Sequence, residues 1–445
     1  MSPEIVTILA LVVIFAIATF LPINMGALAF VAAFLVGTLS VGLTTDDILG
    51  GFPAELVLTL IGVTYLFAIA QNNGTVDLLV RGAVRLVGGH VAAIPWIMFF
   101  VTGVLTAIGA LSPAAVAIIA PIALSFAARH GISPLLMGMM VIHGAQGGGF
   151  SPISVYGVTV NTIVRDEGLP SSPLAVFLGA LFFNLAIALV LFFVLGGRKL
   201  IGRKVEAEPL PHTEHAHGTV VRGHGAAPGP AVGGDDDEHV HPDVPQPVRF
   251  EQILTLVGLV VVAVLALGFD LDIGFVAISV AVVLALFSAQ KHKGAVSQIS
   301  WSTVLLIAGV LTFVFVLEEA GTIDYVGDAV IGLGVPLLIA LLLAYIGGVV
   351  SAFASSTAII GVAILLAVPF LESGDISAIG VVVALSVAST IVDVSPFSTN
   401  GALVLANAHD IDKDRFYKQI LGYAGIVVAV GPLLAWLVFV VPGWL

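Results

Sequence analysis

No cysteine occurs among the 445 residues, so disulfide frameworks, thiolate nucleophiles and cysteine-ligated metals are all excluded. Charge is nearly as scarce, with Asp, Glu, Lys and Arg together making up 10% of the chain. Eight of the 28 acidic residues sit in one linker, so the formal charge of −13 says little about partners. No Gly-x-x-x-x-Gly-Lys-Ser/Thr segment is found, and no Rossmann glycine pattern follows a strand, which argues against nucleotide binding and ATP-driven work. No nucleophile–base pair or metal triad falls inside the apolar segments, so neither an enzyme nor a cofactor is expected. Nucleic acid is not an expected partner.

Apolar residues fill that space, at 59% of the chain and a mean hydropathy of +1.15. Apolar segments lie near 4–22, 26–43, 54–71, 92–128, 134–164 and 172–195. A second set lies near 250–268, 273–289, 302–317, 335–370, 376–407 and 418–442. Runs of this length span a bilayer as helices, and the expected fold is an all-α polytopic membrane protein. The opening stretch has no basic n-region and no small-residue cleavage site, so it reads as a retained first span rather than a signal peptide. Between the sets, residues 198–249 are rich in Pro, Gly, His and Asp, the composition of a mobile linker. His212, His215, His217, His224, His239 and His241 lie there beside Asp235, Asp236, Asp237 and Glu238. A zinc- or nickel-binding tract is conceivable, with a solvated acidic linker as the plainer reading.

The two sets repeat one another. "FSPISVYG" at 150–157 returns 244 residues later as "VSPFSTNG" at 394–401. "NNGTVD" at 72–77 matches "EAGTIDYVGD" at 319–328, and "GALSPAAVAII" at 109–119 resembles "FASSTAIIGVA" at 353–363. Three matches in one order at nearly one offset indicate an internal duplication, 1–197 and 250–445. Charge sets the orientation. Fourteen of the fifteen Lys and Arg, all but Arg165, fall on one side, which the positive-inside rule makes the cytoplasm. The halves are then inverted, and both termini lie outside. Segments 92–128 and 335–370 each begin and end on one side. Their midpoints, "GALSPAA" and "AFASSTAI", are small, hydroxyl-bearing and uncharged, which favours re-entrant hairpins over pairs of full spans. About ten full crossings remain.

Each octet sets a proline inside an apolar segment, so 134–164 and 376–407 should be broken helices. Broken helices survive in a membrane where their freed backbone groups face protein or a water-filled cavity. Inverted repeats with interrupted helices point to a secondary transporter with its site near the midplane. Hairpin tips offer helix N-termini to an anionic ligand, with Ser112 at the first and Ser355, Ser356 and Thr357 at the second. The same hydroxyls are also ordinary N-caps. The breaks add Ser151, Ser154, Ser395, Ser398, Thr399 and Asn400 as substrate contacts. Hydroxyls and unwound carbonyls around Ser112, Gly148, Ser355 and Gly401 suit a hard cation such as Na⁺.

Asp393, just before the second break, is the intramembrane carboxylate. It could coordinate the coupling cation or carry a proton, or merely bind freed backbone amides. His143 offers either a proton relay or a buried neutral imidazole. The glycines of "HGAQGGG" at 143–149 permit close backbone approach, for a site or for helix packing.

The first 43 residues, "MSPEIVTILALVVIFAIATFLPINMGALAFVAAFLVGTLSVGL", resemble the N-terminal region of malonate/dicarboxylate carriers (MatC-like). The hairpin tips and broken helices resemble the wider ion transporter superfamily, which includes the divalent-anion:sodium symporters. In those symporters each tip carries Ser-Asn-Thr, which contacts substrate carboxylate and helps ligate Na⁺. Here Ser355, Ser356 and Thr357 look similar with Ser in place of Asn, and the first tip offers Ser112 alone. The resemblance implies a cation-coupled symporter of small di- or tricarboxylates such as malonate or succinate, driven by Na⁺ or H⁺. It further implies a homodimer in the inner membrane with an elevator-like movement. The alternative is an inorganic oxyanion permease or efflux carrier.

Overall fold

The computed structural model describes residues 2–21, 23–85, 90–204, 248–269, 271–323, 325–326, 335–352, 356–371, 376–408 and 412–445. The His-rich tract from 205 to 247 and Ser355 therefore lie outside the described residues. Secondary structure among the described residues is helical, with no strand beyond one isolated bridge. Before the linker the helices are α1 Pro3–Phe20, α2 Met25–Val36, α3 Thr45–Gly50, α4 Ala54–Asn72 and α5 Thr75–Arg85. They continue as α6 Ala93–Ala107, α7 Ser112–His130, α8 Pro134–Gly148, α9 Val155–Asp166 and α10 Pro173–Val194. After the linker come α11 Phe250–Gly268, α12 Ile273–Phe287, α13 Trp301–Glu319 and α14 Pro336–Ser351. The last four are α15 Ser356–Leu371, α16 Ala378–Ile391, α17 Thr399–Ala406 and α18 Lys413–Phe439. Among the described residues, six helical segments of at least 18 residues are long and apolar enough to cross a membrane, by length and composition.

Packing between the halves is reciprocal. Helix α2 lies on α13, and α12, which holds the matching place in the second half, lies on α4. Both contacts are made backbone to backbone at glycines. A Cβ placed on Gly26 would sit 2.0 Å from the Leu305 carbonyl oxygen, and one on Gly309 would sit 2.0 Å from that of Gly26. In the second crossing, a Cβ on Gly62 would lie 2.6 Å from the Gly274 oxygen, and one on Gly274 would lie 2.8 Å from the Thr59 nitrogen. Small residues are what let helices approach this closely where lipid provides no hydrophobic drive.

The Gly-Thr-x-Asp matches are reciprocal as well. Gly74 and Gly321 both adopt positive φ, 76° and 69°, and each leads into a buried threonine. Thr322 shares a 2.6 Å hydrogen bond with Thr7 of α1. On the other side Asn73 accepts from the Thr75 amide and donates to Thr255 of α11 at 2.6 Å. Each half's first helix is thus tied to the turn that follows a long helix of the other half.

Helices α6 and α7 form one hairpin and α14 and α15 the other, each packed against its own broken helix. In the short helix α3, the hydroxyl of Thr44 and then its amide hold the Asp47 carboxyl below its ordinary value.

Candidate functional site

The two octets fold alike, and their residues explain why. Pro152 and Pro396 stop α8 and α16 from continuing, and helix resumes at Val155 and Thr399. The Ser154 hydroxyl lies 2.5 and 2.7 Å from the carbonyl oxygens of Gly149 and Ser151. Ser398 makes the matching contacts, at 2.6 and 2.7 Å, to the carbonyl oxygens of Asp393 and Ser395. Glycine ends each octet because the chain folds back on it. A Cβ on Gly157 would lie 1.9 Å from the Ser151 oxygen, and one on Gly401 would lie 2.0 Å from that of Ser395. Ser154 and Ser398 therefore close the turn that makes the break, with their hydroxyls spent on backbone carbonyls.

Chemistry distinguishes the copies. Where the first copy has Gly149 the second has Asp393, and where the first has Tyr156 the second has Asn400. Asp393 is 6% exposed and accepts a hydrogen bond of 2.6 Å from Ser356, the first residue of α15 at the second hairpin tip. Asn400 is 1% exposed and donates at 2.8 Å to the hydroxyl of Ser112, which opens α7 at the first tip. Both tips are thus held by the second break, one through a carboxylate and one through an amide. Asn400 Oδ1 has no hydrogen-bond partner in this buried setting. Ser112 is not the N-cap of α7; that position falls to Leu111, which provides no side-chain cap.

A cavity of about 490 Å³ opens beside these groups. Ser356, Asp393 and Thr399 line it from the second half, and Leu111, Pro113 and Ala114 from the first tip. Its remaining polar wall comes from Asn24, Tyr156, Ser300, Ser302 and Thr303. None of these five stood out in the sequence. Asn24 accepts from the Gly26 and Ala27 amides as the N-cap of α2, and donates to the Ser302 carbonyl at 3.0 Å. An asparagine ahead of an apolar run is a capping signal, and that signal was available.

The other expected contacts fall in different places. Ser151 and Ser395 are buried in their turns, and Ser395 accepts from the Phe397 amide. The Thr357 side chain lies outside the described residues. Gly148 and Gly144 face the hairpin arm. Their Cβ positions would meet the carbonyl oxygens of Gly103 and Phe99 at 1.9 and 2.2 Å, so these glycines allow α6 to pack on α8. His143 is fully buried away from the cavity lining, 2.8 Å from Asn184 Oδ1 and 2.7 Å from the Tyr423 hydroxyl. Asn184 donates its own amide to the Ala180 carbonyl, so His143 must carry its proton on Nδ1 and accept from Tyr423. It joins α8, α10 and α18. Among the described residues no cluster of three or more His, Asp or Glu could hold a metal ion.

Residues 1–149 match the family model described as the dicarboxylate carrier protein MatC N-terminus. That match ends just before the first octet. No curated protein matches the chain by sequence. The chain is similar in fold to the crystal structure of the Alcanivorax borkumensis YdaH transporter, with a TM-score of 0.57 at 14% sequence identity, over 98% of each chain. The likeness extends over the whole helical fold.

Proposed function

We propose that this chain is a secondary active transporter of small di- or tricarboxylates such as malonate or succinate, coupled to a cation and resident in the inner membrane. The observation that carries the proposal is the meeting of both hairpin tips with the second break at one cavity. Ser112 and Ser356 sit at the starts of α7 and α15, where free amides and the helix dipole favour a carboxylate. Among the described residues the cavity is lined by hydroxyls, an amide and the Asp393 carboxylate and by no Lys or Arg, so an anion is balanced by helix ends and a co-bound cation. Asp393 is the coupling group, taking up Na⁺ or H⁺ with the substrate. The match of residues 1–149 to the dicarboxylate carrier model favours carboxylates over oxyanions.

Reciprocal packing of α2 on α13 and α12 on α4 supports two inverted repeats. On the orientation read from charge, residues 21–24 and 300–303 face the cytoplasm, so the cavity is the inward-open one. The chain works as a homodimer, with the hairpins and broken helices moving as an elevator against the remaining helices.

Uptake of radiolabelled malonate and succinate into proteoliposomes tests this, with an inward Na⁺ gradient, an inward H⁺ gradient or neither. Accumulation above equilibrium under one gradient is the expected result and names the ion. No carboxylate uptake under either gradient, with uptake of an oxyanion instead, would turn the reading to an oxyanion permease.

A further inference from the structure

We infer that Gln146 is a positioning residue for Asp393, a tie between the two helix breaks; the inference rests on the coupling role proposed for Asp393. Gln146 lies five residues before the octet serine of the first copy, and Thr390 lies five before that of the second. The two positions therefore correspond, and they meet in the interior. Gln146 is fully buried and its Nε2 donates to the Thr390 carbonyl at 2.8 Å. Turning the amide over would set two oxygens face to face, so its orientation is fixed.

Thr390 does not return the contact. Its hydroxyl bonds back into its own helix, to the carbonyls of Ser386 and Val387. Three residues further on is Asp393, whose carboxylate holds Ser356 and the second tip. One side chain of the first half thereby grips the segment that places the second half's carboxylate.

This amide is a poor choice for mere packing. Its Oε1 is buried with no hydrogen-bond partner, a state that costs folding free energy. The Thr390 carbonyl already accepts the Val392 amide, so it needs no second donor. A leucine at 146 would fill similar space and remove the orphan acceptor. A polar tie kept at the expense of stability fits a role in placing Asp393.

The test compares wild type with Gln146→Leu and Gln146→Asn, the latter keeping the amide but shortening its reach by one methylene. Thermal unfolding in detergent is measured first. Carbodiimide modification of Asp393 is then followed by mass spectrometry, a readout that needs neither substrate nor knowledge of the coupling ion. Expected for both variants is a melting temperature within a few degrees of wild type, with the rate of Asp393 modification changed at least threefold. Their gradient-driven accumulation should fall at least fivefold relative to counterflow exchange. Modification rates within twofold of wild type, including no modification in any form, would overturn the inference. Failure of both variants to fold would also overturn it, since the tie would then be structural. Wild type that accumulates no carboxylate would sink the transport reading alone, leaving the modification rates to decide this one.

Discussion

Ser356 and Asp393, 37 residues apart, meet at 2.6 Å where the second hairpin tip touches the second break. This contact joins the one carboxylate found among the described residues of the cavity lining to a helix N-terminus that also faces it. On the proposed coupling role, a cation or proton taken up by Asp393 would compete with the Ser356 hydroxyl for the same oxygen. Uptake of the coupling ion would then act directly on the placement of the tip.

Asp393→Asn keeps the size of the side chain and removes its charge. Concentrative uptake should fall by at least tenfold while exchange of ligand across the membrane persists. Parallel measurement of gradient-driven accumulation and counterflow separates the two. Unchanged accumulation would reject the coupling role.

Asn400→Ala removes the donor to the Ser112 hydroxyl at the first tip. A buried hydrogen bond of this kind contributes about 0.5–1.5 kcal/mol to holding the tip in place, and if ligand must bind to the tip so held, a loss at the upper end is roughly tenfold in affinity. KM for the carboxylate should rise by about that factor with little change in the amount of folded protein, as read from initial uptake rates and detergent size-exclusion profiles. Equal KM would remove Asn400 from the site.

Glycines at the ends of the octets are required for a different reason. Gly157→Ala and Gly401→Ala each force a methyl group against a carbonyl oxygen of the same turn, and overpacking of this sort costs about 1–3 kcal/mol. Both variants should lose several degrees of melting temperature. Gly422→Ala and Gly425→Ala in α18 meet nothing within 4 Å and should be neutral or slightly stabilising, since alanine is the better helix former by about 1 kcal/mol. Four similar losses would mean that the backbone folds differently at the breaks.

The octets were legible because proline and glycine have backbone consequences that spacing reveals. Asp393 was legible because a carboxylate in an apolar segment is costly. Contacts between the halves were not. Nothing in "MGALAFV" indicates that Gly26 will face Gly309, and nothing near Gln146 names Thr390 as its partner. Those pairings are set by where whole helices lie, which local pattern does not encode. The cavity residues Asn24, Ser302 and Thr303 were missed for the same reason: each reads locally as an ordinary helix start. The glycines of "HGAQGGG" fitted both a site and packing, and contact with α6 explains Gly144 and Gly148.

The absence of cysteine makes the direction of the cavity directly testable. Ser302 lines the cavity and is solvent-exposed, and it contributes only its main-chain carbonyl to the bond with Asn24, so a cysteine there leaves that bond in place. Ser302→Cys, as the single thiol in the chain, should react with a membrane-impermeant maleimide in inside-out vesicles and resist it in right-side-out ones. Malonate with the coupling cation should slow the reaction, because ligand at Asp393 and Ser356 fills the same cavity. Reaction from the outer side alone would reverse the orientation read from the basic residues and make the cavity outward-open. Reaction unaffected by any carboxylate, in protein that still transports one, would place the ligand elsewhere and separate the cavity from the transport site.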